Sequence, residues 1–146
     1  MALVKFVKLD KKAIVPTYGT AFAAGADLYA LSDNDIKIES GETVMIHTGI
    51  AMQIPDGTAA FIFARSGIAT KRGLAPANKV GVIDSDYRGE IMVPIHNHSN
   101  TMQVIASGER IAQMVIMPYI KAEFSECDSL SNTDRAEKGF GSTGTK

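Results

Sequence analysis

The sequence calls for an all-β fold: a jelly-roll-like β-barrel or sandwich with one short helical segment and a flexible C-terminal arm. Three observations lead there. Short runs rich in β-branched and aromatic residues recur along the chain, separated by Gly, Pro, Asp and Asn. Only one window has helical character. The 146 residues, 45 % hydrophobic and 21 % charged, suffice for one core but not for two.

Taken in order, the runs expected as strands are ALVKFVKL, DIKI, TVMIHTGIAMQI, TAAFIFA, KVGVI, EIMVPIHN, MQVIA and RIAQMVIMPYI. Alternation is clearest in Thr43 to Ile46 and in Ile91 to Ile95, where Ile91, Val93 and Ile95 share one face. Loops fall at Asp33, Asn34 and Asp35, and at the Pro-Asp-Gly turn between Ile54 and Thr58. Ser66 to Lys71 reads as the helical turn, with Ser66 available as a cap and Gly73 as a stop. Residues 1–126 should form the β domain. Residues 127–146, polar, glycine-rich and without periodicity, read as the flexible arm.

Composition excludes several classes. A net charge of -1 and a pI near 6.3 supply no general field for long nucleic acid, so stable nucleic-acid binding is not expected. Cys127 is the only cysteine, which excludes an intrachain disulfide and a multi-cysteine metal site. Lysines interrupt the apolar residues of the N-terminus, and no stretch approaches the roughly 20 apolar residues of a spanning helix. No membrane association is expected, and the setting is read as cytoplasmic, with a nuclear or viral context left open. His96 and His98 alternate along one strand but have no third ligand nearby, and His47 has no companion in sequence. The pair is read as surface or subunit-contact residues.

Five segments combine glycine with charged or hydroxylated residues at strand ends: AGADL (Ala24 to Leu28), ARSG (Ala64 to Gly67), GVIDSDYRGEI (Gly81 to Ile91), GERIAQ (Gly108 to Gln113) and RAEKGFGSTG (Arg135 to Gly144). Singly, each could be no more than a turn. In this order and with this joint content, they resemble the five motifs of the trimeric dUTPase family over nearly the whole chain, from about Ala13 to Gly144. The resemblance implies hydrolysis of dUTP to dUMP and pyrophosphate by in-line attack of water at the α-phosphate.

It also implies a role for each motif. Asp84, after the apolar run VGVI, is expected at the end of a buried strand, where a rigid element could hold a carboxylate as the base that activates the water. Asp86, its rival, is assigned to the turn that Gly89 closes. Tyr87 resembles the residue that packs under deoxyribose and excludes a 2'-hydroxyl. GLAPANKVGVI resembles the hairpin that receives uracil, with Asn78 at its bend and Val82 in its second arm. Pro76 should make the first arm an edge strand. Arg65, Ser66, Gly67 and Gln113 are expected on the phosphates. Arg110 and Glu109 are explained about as well by an ion pair at strand entry.

Asp27 would help hold Mg2+ through water, and that ion should arrive with the nucleotide. Arg135 is expected to reach the outer phosphates and Phe140 to stack on uracil. Gly141, Ser142 and Thr143 would wrap the terminal phosphate. Ala136 and Lys138 stand where the family usually has glycine. The resemblance further implies a homotrimer with shared active sites. Whether the arm would close over its own or a neighbour's site stays open. The dCTP deaminase family, of related fold, lacks the IDSDY run, and the complete motifs argue against a non-catalytic regulator.

Overall fold

Strict alternation organises the strand Glu90–Asn97, in which Ile91, Val93, Ile95 and Asn97 are buried and the residues between them are not. A computed structural model describes residues 3–137 and arranges them around such strands. In chain order these are β1 (Lys5–Lys8), β2 (Thr17–Tyr18), β3 (Ala26–Tyr29), β4 (Ile36–Ile38), β5 (Thr43–Gln53), β6 (Thr58–Phe63), α1 (Ser66–Arg72), β7 (Leu74–Pro76), β8 (Gly81–Ile83), β9 (Glu90–Asn97), β10 (Gln103–Ile105) and β11 (Arg110–Pro118).

Two sheets, in the orders β1-β5-β9-β7 and β2-β3-β11-β6-β8, enclose one core, and the β10-β4 pair closes an end. All pairings are antiparallel. The core runs from Ile46, Ile91, Val93 and Ile95 on one sheet to Leu28, Ile62, Ala112 and Met114 on the other. This is the expected jelly-roll-like β fold.

Each of the eight expected runs contains a strand, and the Pro-Asp-Gly turn closes with Thr58 N–H donating to Pro55 O at 3.1 Å. β2 and β3 were not anticipated. Ala26, Asp27 and Leu28 are all buried, so β3 shows no period-two pattern to read. Pro94 sits inside β9, a central strand. Its carbonyl accepts from Ala77 N–H at 2.7 Å on the side where β7 has already ended, so its missing N–H interrupts no ladder.

Three expectations need correction. GLAPANKVGVI does not close as a hydrogen-bonded hairpin: β7 pairs with β9, and β8 pairs with β6 in the opposite sheet. The turn through Asn78, with Lys79 at φ 66°, carries the chain across so that Leu74 and Gly81 enter the core from its two walls. β7 is nonetheless the edge strand that Pro76 requires. Next, Ser66 is the first residue of α1 rather than its cap. Arg65 holds the cap position without a side-chain bond, and Gly73 ends the helix at φ 67° as expected. Last, β8 is not a buried strand. It is a sheet edge on which Val82 is 56 % exposed.

Among the described residues regular structure ends at Pro118, and residues 118–137 are exposed throughout. Phe140, Gly141, Ser142 and Thr143, expected in the substrate-binding arm, lie outside the described residues.

Candidate active site

Three neighbouring strands set one half of the site abreast. Asp27 on β3 is paired with Gln113 on β11, which is paired in turn with Phe63 on β6. Directly opposed residues share a face. Gln113 Nε2 donates to Ala64 O at 3.0 Å and so fixes the point where β6 gives way to Arg65 and α1. A Cβ at Gly25 would stand 2.6 Å from Gln113 Oε1, so a larger residue there would displace this amide.

Two arginines converge on Asp27. Arg65 Nε donates to Oδ1 at 2.7 Å, and Arg110 Nη1 donates to Oδ2 at 3.0 Å. The Asp27 side chain is only 12 % exposed, so its charge is compensated where water is scarce. Arg65 also reaches Arg110 O at 3.4 Å, and both guanidiniums keep further N–H groups for an anion. Ser66 and Gly67 are exposed beside them at the start of α1.

An ion pair between Glu109 and Arg110 at strand entry does not form. Glu109 bonds instead to Arg72, from the last turn of α1, and Arg72 also holds Gln103 Oε1 at 3.2 Å and the Val104 carbonyl. This clamp, invisible in the sequence, pins the helix to the turn that leads into β11.

The second half of the site lies elsewhere. Asp84 follows β8 and is exposed, its carboxylate making no hydrogen bond among the described residues. It lines a shallow depression with Phe61, Val82, Ser85, Tyr119 and Lys121. Ser85 and Asp86 form the expected turn, which Tyr87 N–H closes on Asp84 O at 3.2 Å. Arg88 braces it by donating to Ser85 O at 2.6 Å and to Tyr87 O at 2.9 Å. The Tyr87 hydroxyl donates to Glu90 O at 2.9 Å, and Asn78 is exposed at its bend.

Strand register measures how far apart the halves are. Ile83 faces Ala60 and Gln113 faces Phe63, which places Asp84 level with Ala59. Four residues along and two strands across make about 16 Å between Asp84 and Gln113. One chain therefore brings together Asp27, Arg65, Ser66, Gly67 and Gln113, and separately Asn78, Val82, Asp84 and Tyr87. Arg135 stands in the exposed arm, beside Ala136, whose φ of 44° is a left-handed conformation that glycine adopts more readily.

Histidines complete the picture. His96 and His98 do share a face, with ring centroids 4.4 Å apart, and His96 Nδ1 is 2.8 Å from the Thr43 hydroxyl. Burial, then the neighbouring His96 and Lys79, lower the pKa of His98. No group of three metal-ligating side chains exists among the described residues. His47, which showed no companion in sequence, bonds to Glu90 at 2.8 Å.

Comparison with known proteins gives a single direction. Residues 11–144 match the family model described as dUTPase. The deoxyuridine 5'-triphosphate nucleotidohydrolase of Desulfitobacterium hafniense is 51 % identical over 97 % of this chain and 94 % of its own. The protein of that name from a Hydrogenobaculum species is 48 % identical over 95 % and 96 %. Among solved structures, a Staphylococcus bacteriophage 80alpha dUTPase with dUpNHpp superposes at a TM-score of 0.89 with 27 % identity over 99 % of both chains.

Proposed function

This chain belongs to the dUTPase family and hydrolyses dUTP to dUMP and pyrophosphate, and from that premise we propose how its residues divide the work. Asp84 is the base. Its carboxylate, without a hydrogen-bond partner among the described residues, is available to orient a water and take its proton as that water attacks the α-phosphorus. Tyr87 is the sugar gate, held against its own turn so that the ring fills the space a 2'-hydroxyl would need. Asn78 and Val82, exposed between the two sheets, frame the uracil edge.

Arg65, Ser66, Gly67 and Gln113 bind the phosphates. Asp27 holds Arg65 and Arg110 side by side, and their remaining N–H groups meet the triphosphate. Arg135 and the arm residues Phe140, Gly141, Ser142 and Thr143 cover the nucleotide from outside.

Mg2+ is the cofactor assigned. Each Asp27 oxygen already accepts from an arginine, which fits an outer contact through water better than direct ligation. The ion would come with the triphosphate, held chiefly by phosphate oxygens, and would neutralise their charge.

The working unit is a homotrimer with shared sites. The observation that supports this is the separation of about 16 Å between the backbones of Asp84 and Gln113, a wide span for one chain to close over a single α-phosphate. Phe22, Ile120 and Phe124 are at least 95 % exposed, apolar surface that a neighbouring chain would cover. No helix among the described residues is long and apolar enough to cross a membrane, and a cytoplasmic setting is the reading adopted. Asp84→Asn tests the assignment of the base: dUpNHpp should bind within about threefold of wild type while turnover falls about 100-fold or more. Near-normal turnover would remove Asp84 from that role.

A further inference from the structure

β5 carries a bulge that one side chain fills. His47 faces Met92 and Ala51 faces Glu90, so β5 spends two more residues than β9 between these points. Gly49, at φ 67°, lies in the surplus, where a left-handed backbone favours glycine. Glu90 reaches into it. Its Oε1 accepts Gly49 N–H at 2.7 Å, and its Oε2 accepts His47 Nδ1–H at 2.8 Å. Beside it, the buried Thr48 hydroxyl donates to Ile91 O at 2.6 Å. The carboxylate of Glu90 is thus fixed at both oxygens, and the start of β9 is fixed with it.

The same residue's carbonyl accepts the Tyr87 hydroxyl at 2.9 Å. The Tyr87 ring folds back over Gly89, where a Cβ would collide with the hydroxyl and its ring carbon. The ring therefore rests on the Gly89–Glu90 backbone, and that backbone is held in place by the bulge. We propose that Glu90 is a positioning residue for sugar selection: its carboxylate, locked into the β5 bulge, holds the carbonyl that anchors Tyr87. The proposal rests on the reading of Tyr87 as the sugar gate. It adds that selectivity is set partly from β5, by residues more than 40 positions from Glu90 in sequence.

The test is the ratio of kcat/KM for dUTP to kcat/KM for UTP, in variants shown by circular dichroism and sizing to keep the wild-type fold and assembly. Loss of folded enzyme would reduce turnover of both nucleotides alike, whereas displacement of the ring changes their ratio. Glu90→Ala should lower the ratio about three- to tenfold, the worth of one or two hydrogen bonds, with KM for dUTP rising more than kcat falls. Glu90→Gln, which can still accept Gly49 N–H, should recover most of it. A folded Glu90→Ala enzyme with the wild-type ratio overturns the proposal.

If Glu90→Ala does not fold, Tyr87→Phe decides, since it removes only the hydroxyl. A reduced ratio then supports the anchor, and an unchanged one refutes it. Tyr87→Ala tests the premise separately: retention of the full ratio there would sink the sugar-gate reading itself, whatever Glu90 does.

Discussion

Glu90 illustrates how a single carboxylate is tuned by its surroundings. Burial pushes its pKa up, but the hydrogen bonds from His47 and the Gly49 N–H outweigh this and hold it below the ordinary value. With the folded pKa the lower of the two, its stabilisation is complete above the unfolded value of about 4.3 and is lost as pH falls through the folded value. Glu90→Gln should therefore lower the urea midpoint at neutral pH and flatten its decline below about pH 4.3. Parallel acid limbs in mutant and wild type would show that the carboxylate is not linked to folding. Asp84, Tyr87, Arg65 and Gln113 could be singled out in the sequence because each sits in a short motif. Their partners could not. Asp27 meets Arg110 across 83 positions and His47 meets Glu90 across 43, and no local pattern encodes such pairs.

Secondary structure was legible where one face meets the core and the other meets water. β9 announces itself through Ile91, Val93 and Ile95, whereas β3, buried at Ala26, Asp27 and Leu28, has no alternation to announce. Asn97 is hidden in the sequence for a related reason. Within the HNH run it looks like surface, yet it is wholly buried and spends its amide on Ile38 O at 2.9 Å and Thr101 O at 2.8 Å. α1 is too short to hold itself in place by helical hydrogen bonds, so its position depends on Ile68 in the core and on Arg72. Arg72→Ala should cost about 1–3 kcal/mol of stability in urea and weaken dUpNHpp binding, because the clamp aligns Ser66 and Gly67 with Gln113. Wild-type stability and affinity in that variant would show the clamp to be dispensable.

On the scale of the whole molecule, the five-stranded sheet places its chemistry at opposite ends of one strand: β6 runs from beside Asp84 to the point where Arg65 leaves it. The jelly-roll-like fold was readable from strand content, but this division was not, since it depends on β8 pairing with β6 and not with β7. A cyclic assembly joins unlike surfaces of neighbouring chains and would bring the end of one β8 to the phosphate half of the next. The most direct measurement is activity after mixing two inactive variants, Asp84→Asn and Gln113→Ala, co-refolded in equal amounts. If each site draws Asp84 from one chain and Gln113 from another, random assembly leaves about one quarter of the sites with both groups intact, and activity returns to about that fraction of wild type. If the mixture stays as inactive as its components, each chain must build its site alone, and the shared-site arrangement is wrong.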